Sequence, residues 1–305
     1  GRISFTKAGN AFVALMNPDR TVFVPSRSTG TALHGDRVLV RIRRAARRDA
    51  EGTLPEGEVI RILERRRRTV VGTLKRPHRI YTVEPLQATL SRDVLVPDAG
   101  GARIGDRVLV NLDEWEDPSI NPEGEIVEVI GPADDPSLDT LAVCKAYELS
   151  ETFPKPVTTE AEAATLTEED IKGRLDFRNA FVFTIDPATA RDFDDALSLE
   201  RTRGGNWKLG VHIADVSHFV SENSALDNEA YKRGSSTYFP DKVVPMLPEQ
   251  LSNGLCSLVP NRDRLTFSAF VTIDDDANVI RSSFRTSVIR SRLRLTYEQA
   301  LDILR

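Results

Sequence analysis

The chain has 305 residues, 40% hydrophobic and 29% charged, a composition that suits two or three packed domains of a soluble globular protein. No apolar run approaches the roughly 18–20 residues that a bilayer-spanning helix needs, and residues 1–10 carry no signal-peptide core. The net charge of −5 hides a split: residues 1–80 hold 18 Lys and Arg against 7 Asp and Glu, whereas the rest hold 23 against 39. A basic segment joined to an acidic one suggests a polyanion-binding part that feeds a cation-binding part, with ordinary solvated surface charge as the alternative. Cys144 and Cys256 stand far apart with no metal-ligand spacing, as small apolar residues of a reducing, cytoplasmic compartment would. The first residue is Gly rather than Met, which reads as a trimmed start.

The first 135 residues repeat themselves. Val22–Pro25 matches Val94–Pro97, Gly35–Val40 matches Gly105–Val110, and Pro55–Ile60 matches Pro122–Val127, at offsets of 72, 70 and 67. Three blocks in one order mark a duplicated domain. Each copy is a series of short β-rich runs between Gly, Asp, Asn and Pro, and a Gly-Asp turn precedes one strand in both. Some 70 residues of about five short strands fit a closed barrel of the OB type. Lys7–Val13 and Thr21–Val24 resemble the RNA-contact strands of cold-shock domains, with the family's aromatic ladder reduced to Phe12 and Phe23. That resemblance implies base stacking on Phe12 and Phe23, although both also suit a core. The second copy, nearly stripped of aromatics, suits a spacer or channel wall.

Beyond a Pro- and Asp-rich linker at 131–140 the pattern changes to mixed α and β. Short helices are predicted over 140–150 and over 165–172, where Thr167 and Asp170 form a capping pattern. Strands are predicted at Phe181–Ile185, at Leu197–Glu200 and from Trp207 to Val216, and a helix from Asn223 to Arg233. The expected organisation is a barrel over 1–68, a second over 69–135, and an α+β domain from 136 to 305.

The strongest chemical signal is Thr184–Ala196, in which Asp186, Asp192, Asp194 and Asp195 fall within ten residues. Pro187 prevents a helix through Asp186, so a loop leaving a strand is expected. Four carboxylates in one place raise one another's pKa values unless a cation joins them. Magnesium prefers such hard oxygen ligands and keeps several waters, and a pair of such ions can cleave a phosphodiester. A structural metal or a solvated acidic loop would use the same residues, but an EF-hand would need a Gly and a Glu that this spacing lacks. His212, Asp215 and His218 also tempt a metal reading. His212 and Asp215, three apart in a strand, should face opposite sides and are read as structural or as support behind the metal ligands.

The acidic stretch resembles the catalytic signature of the RNB domain, the catalytic domain of the RNase II/RNase R exoribonucleases. Arg174–Arg178, Gly210–Ser217 and the long block from Arg233 through Pro245–Pro248 and Leu251-Ser252 to Leu258 agree with it. The resemblance implies two OB-fold, cold-shock-like barrels followed by the first part of an RNB domain. It implies 3′-to-5′ hydrolysis of single-stranded RNA to nucleoside 5′-monophosphates, with Mg²⁺ as the metal and Mn²⁺ as its substitute. It places metal binding on Asp186, Asp192, Asp194 and Asp195, with Asp186 and Asp195 as the foremost direct ligands. The resemblance also places the family's loss-of-activity position on Asp194 and implies that Asp192 completes or supports the metal shell. Tyr238 would pack against the terminal nucleotide, and Arg191 would pair with an acid or touch phosphate. Lys242 and Arg262 are weaker candidates for RNA contact. Single-stranded RNA is the implied partner, with no membrane and no small-molecule cofactor. A capped helix is predicted over Thr296–Arg305. The family's later arginine block, catalytic glutamate and S1 barrel would come from a further segment or a second chain. Residues 1–305 alone are therefore expected to be poorly active. An RNA-binding or regulatory protein on a degenerate RNB scaffold is the competing expectation, and retention of all four aspartates speaks against it. A cold-shock-type RNA chaperone is a weaker one, for which residues 150–305 would be superfluous.

Overall fold

In the computed structural model, which describes residues 1–15, 20–49, 52–86, 90 and 92–305, each half of the sequence repeat closes on itself. The first copy comprises β1 (Arg2–Phe5), β2 (Ala11–Ala14), β3 (Thr21–Val24), β4 (Arg37–Asp49) and β5 (Gly52–Glu64), in a closed barrel of order β1-β2-β3-β5-β4. The second comprises β6 (Thr69–Lys75), β7 (Tyr81–Pro85), β8 (Val94–Val96), β9 (Asp106–Leu112) and β10 (Gly124–Pro132), in the order β10-β9-β6-β7-β8. A parallel bridge from Leu95 to Glu123 occupies the place of the parallel β3–β5 pair, Phe23 with Glu56. The three repeated blocks thus become the third, fourth and fifth strands of both copies. The shared Gly-Asp turn has one explanation in each. Gly35 and Gly105 take φ of 88° and 96°, which side chains disfavour. Asp36 and Asp106 each accept a backbone N–H three residues back, from Leu33 and Arg103, at 2.8 Å.

Inward residues of alternating strands fill each barrel: Ile3, Val13, Val22, Val24 and Val38 in the first, Leu74, Val83, Val94, Val108 and Val110 in the second. α1 (Asp139–Tyr147) packs Ala142 and Ala146 on Val71 of the second barrel, and the first compact unit runs from Gly1 to Ser150. Part of the arginine run serves this packing. Arg65 donates to Asp36 at 2.6 Å and to the Thr31 carbonyl at 2.9 Å, and Arg67 donates to the carbonyls of Ala146 and Tyr147.

The second unit, Glu151–Arg305, begins with α2 (Lys155–Ala163) and α3 (Glu168–Ile171), the latter carrying the expected Thr167–Asp170 capping box. Its strands are β11 (Leu175–Phe177), β12 (Val182–Asp186), β13 (Asp195–Arg201) and β14 (Trp207–Ala214). After α4 (Val216–Phe219) and α5 (Ala225–Arg233) come the short pair β15 (Thr237–Tyr238) and β16 (Val243–Val244). A π-helical turn over Gln250–Leu255 precedes β17 (Asp263–Ile273), β18 (Val279–Arg290), β19 (Leu293–Thr296) and α6 (Tyr297–Leu304), capped by Thr296 and Gln299 as expected. Seven strands form a sheet of order β11-β18-β17-β14-β13-β12-β19. α2, α5 and the π-helical turn bury Val157, Ala161, Leu226 and Leu251 with Val182, Phe193, Ala196 and Ala214 of the sheet and its connecting loop. Glu160 ties two of these helices together by accepting the first N–H groups of α5, from Ala225 and Leu226, at 3.1 and 3.0 Å.

Three expectations shift here. Phe181 lies outside β12 and is 61% exposed. β14 ends at Ala214, so Asp215 stands in the following turn and the strand-face argument fails for it, although its structural role holds: it pairs with Arg174 at 2.7 Å. His218 pairs with Asp170 at 3.0 Å. The long β17–β18 hairpin and α2 were not foreseen at all.

His212 is fully buried in β14, between the Ser198 hydroxyl at 2.9 Å and the Ser268 hydroxyl at 2.7 Å. Ser268 continues to Ser287, which meets Thr266, so a polar chain crosses four strands inside the sheet. Gly210 leaves room for it, because a Cβ there would lie 2.3 Å from the Ser198 hydroxyl and 2.8 Å from His212 Nε2. Burial, aided by Lys208, pushes the imidazole down to about 4. The native state therefore holds His212 neutral, while the unfolded chain takes up a proton below its ordinary pKa of about 6.5. Stability from this group is full above pH 6.5 and is lost as pH falls toward 4. In urea titrations, the advantage of the wild type over His212→Gln should shrink by roughly 3 kcal/mol between pH 7 and pH 4. An advantage that is flat with pH would show that the imidazole is not held neutral.

Candidate metal and nucleotide site

The four aspartates flank one turn at the ends of two adjacent antiparallel strands. Asp186 is the last residue of β12 and Asp195 the first of β13. Between them the chain is pinned at alternate residues. Phe193 is 4% exposed and sits in the core of the unit. Its N–H donates to the Ser257 hydroxyl at 3.1 Å, its carbonyl accepts from Leu258 at 2.9 Å, and the Ser257 hydroxyl donates to the Arg191 carbonyl at 2.8 Å. The Asp194 carbonyl accepts from Ala214 at 2.9 Å. Phe193 is held inward, while its neighbours Asp192 and Asp194 are half-buried and exposed, respectively.

The electrostatics follow. Burial raises the Asp186 carboxyl above its usual range. The Thr184 hydroxyl pulls it down, Asp195 pushes it up, Arg294 pulls it down, and Asp192 pushes it up again. Burial also raises Asp194, followed by the charges of Asp192, Asp195 and Asp186. All four acids thus share one field. The Tyr238 hydroxyl donates to Asp192 at 2.6 Å, and this bond, with burial and the nearby acids, pushes the phenol up to about 12. Its ring remains 64% exposed.

Among the described residues, no three His, Cys, Asp or Glu side chains stand together at ligand spacing. The donor set nonetheless fits a hydrated hard cation. One oxygen of Asp186, Oδ2, is buried without a hydrogen-bond partner, and magnesium can bind through one or two carboxylates while keeping its waters. Burial, and then the charge of Asp194, push the Cys256 thiol up to about 12.

The remaining sequence candidates divide. Arg191 is exposed and, among the described residues, forms no ion pair with the acids, which corrects the expected pairing. It lines a depression of about 630 Å³ with Arg294, Gln250 and Asn253. Lys242 pairs with Glu151 at 2.7 Å. In the first barrel, Phe12 and Phe23 meet edge to face at 5.7 Å. Phe23 is 7% exposed and has no free face for a base, so of its two readings the core one holds; Phe12 is half-exposed above it. Sequence reasoning missed Arg294. It stands on β19, which pairs in parallel with β12, and its Nη2 donates to the carbonyls of Pro187 and Ala188 at 2.9 and 2.7 Å. Nothing local to Leu293–Thr296 signals this role, because a strand pairing far along the chain creates it.

Comparison with known proteins bears on all three parts of the chain. The Ribonuclease B OB domain matches residues 1–62, the cold shock domain 83–154 and the RNB domain 174–305. Ribonuclease R of Thermotoga maritima is 42% identical over 310 residues, covering all of this chain and 43% of the relative. Mycoplasma genitalium RNase R, solved in complex with ribose methylated single-stranded RNA, superposes with a TM-score of 0.80 at 26% identity, over all of this chain and 48% of that one. Yeast Ssd1, described as a pseudonuclease, shares the fold with a TM-score of 0.77 at 21% identity, over all of this chain and 45% of that one. The chain spans less than half the length of curated relatives that it matches, 43% of one Ribonuclease R and 37% of another. Two OB-type barrels, a sheet whose β12–β13 connection carries four aspartates, and these matches together place the chain in the RNase II/RNase R (RNB-domain) family.

Proposed function

We propose that the protein is a metal-dependent 3′-to-5′ exoribonuclease that hydrolyses single-stranded RNA to nucleoside 5′-monophosphates in the cytoplasm. The observation that carries this reading is the acid cluster itself: four carboxylates in one field, two of them raised, with a buried Asp186 oxygen left unpartnered. A fold keeps such an arrangement at a cost in stability, and that cost is expected at a functional site. No helix among the described residues is long and apolar enough to cross a membrane.

Asp186, Asp192, Asp194 and Asp195 would hold Mg²⁺, or Mn²⁺ in its place. When bound there, the ion would supply Lewis-acid stabilisation of the charge that develops on the phosphodiester oxygens. The residues of the chain do the rest. Tyr238 offers an exposed ring to the terminal base while its hydroxyl steadies Asp192. Arg191, exposed at the edge of the loop and free of any ion pair among the described residues, is available to a phosphate. Phe12 offers a stacking face in the first barrel, and Phe23 supports it from beneath. The degenerate-scaffold alternative gains no residue-level support, because all four aspartates stand in place.

The reading is tested on the full-length protein with labelled single-stranded RNA. Asp194→Asn should lower cleavage by more than about 100-fold, at least the loss that disturbing a metal site brings, while RNA binding stays within error of the wild type. Equal loss of both would mean misfolding, and full cleavage would exclude the cluster as the catalytic centre. Removing a raised carboxylate should also relieve the fold. In EDTA near pH 7, Asp194→Asn should melt above the wild type, and Mg²⁺ should narrow the gap by stabilising the wild type alone. Tyr238→Ala should keep turnover but lengthen the limiting end product, read on a sequencing gel; an unchanged product would remove Tyr238 from the terminal subsite.

A further inference from the structure

We propose that Arg294 is a positioning residue for the acid cluster: it sets the shape of the Asp186–Asp195 turn without neutralising any of its carboxylates. The inference rests on the metal reading of the cluster and deepens it.

Parallel pairing of β19 with β12 sets Arg294 against Thr184 and Thr296 against Asp186. The side chain therefore reaches the turn just beyond the end of β12. There its Nη2 bridges two successive carbonyls, Pro187 at 2.9 Å and Ala188 at 2.7 Å. Its guanidinium carbon lies 4.9 Å from the centre of the Phe193 ring, a cation–π distance. One side chain thus grips the turn at 187–188 and again at 193, on either side of Asp192 and next to Asp194.

What Arg294 does not do is equally informative. It lowers the Asp186 carboxyl from a distance, yet among the described residues it forms no ion pair within 4 Å of any of the four acids. An arginine bound directly to Asp186 would occupy the oxygens that a metal needs. Here Nη2 is committed to two carbonyls, while Arg294 Nε and Asp186 Oδ2 are both buried without a hydrogen-bond partner. The guanidinium supplies a positive field that eases the crowding of like charges, and its geometry leaves the carboxylates open.

Two effects of removing Arg294 therefore oppose each other. Loss of a positive charge would tighten cation binding, whereas loss of the grip on the turn would weaken it. The proposal holds that the grip dominates, so the sign of the change is the test. Mn²⁺ binding to the full-length protein is measured by electron paramagnetic resonance and calorimetry, without RNA. Arg294→Met keeps the apolar stem over Phe193 and removes charge and donors. It should weaken Mn²⁺ binding by about 10–100-fold, the range for outer residues that orient metal ligands, and should melt slightly below the wild type in EDTA, because a charge that eases carboxylate crowding is lost. Arg294→Gln restores an amide donor without the charge and should recover most of the loss. Mn²⁺ binding to Arg294→Met that equals or exceeds that of the wild type would overturn the proposal, as would an Arg294→Gln variant no better than Arg294→Met. Asp194→Asn is the control: if neither it nor the wild type binds Mn²⁺, the metal reading fails and the positioning role falls with it.

Discussion

Mutual repulsion of four carboxylates at the ends of β12 and β13 is the constraint around which the second unit is organised. Like charges in a partly buried place raise one another's pKa and favour any motion that separates them. The turn resists that motion with contacts that spare the carboxylates. Phe193 is anchored in the core, Ser257 and Leu258 hold the backbone on either side of it, Ala214 holds Asp194, and Arg294 binds the far end. Each of these contacts uses backbone atoms or a ring and leaves the carboxylate oxygens free. Tyr238 is the exception, and its single bond to Asp192 is broken more easily than an ion pair with arginine would be.

Rigidity beneath the turn comes from the sheet. The buried polar chain from Ser198 through His212 to Ser268, Ser287 and Thr266 links β13, β14, β17 and β18 by side chains as well as backbone. Buried polar groups that satisfy one another specify a single register, because a slip by one residue would strand them all. β13 and β14 are also the strands that position Asp195 and the carbonyl of Asp194. The network that looks furthest from the chemistry therefore fixes where the acids stand.

The parts legible in the sequence were those encoded locally. The Gly-Asp turns, the capping boxes at Thr167 and Thr296, and the strand before Pro187 each depend on neighbours within a few residues; the turns and caps stand as read, and the strand lies one residue later, over Val182–Asp186. The repeat revealed two barrels because a duplication preserves turn chemistry even where the aromatics are gone. The residues that were misread or missed depend on distant partners. Asp215 leaves the strand because its carboxylate meets Arg174 some forty positions away, and Arg191 stands apart from the acids because its carbonyl is held by Ser257. Arg294 was invisible for the same reason: only the β12–β19 pairing gives it a role.

The basic character of the first unit needs the same distinction between charge and contact. Arg65 is committed to Asp36, Arg67 to the end of α1, and both Arg41 and Arg43 to Glu58. Each of these guanidiniums already holds a carboxylate partner that a phosphate would have to share or displace. Those bonded to carbonyls still contribute their full charge at long range, because a carbonyl carries no net charge to cancel it. Counting arginines therefore overstates the number of phosphate contacts and measures the attractive field more faithfully. A surface of this kind draws a polyanion toward it at low ionic strength and loses that advantage within a Debye length of roughly 8–10 Å as salt rises. On the proposed RNA-binding reading, the half-exposed ring of Phe12 would add a stacking contact that salt weakens little.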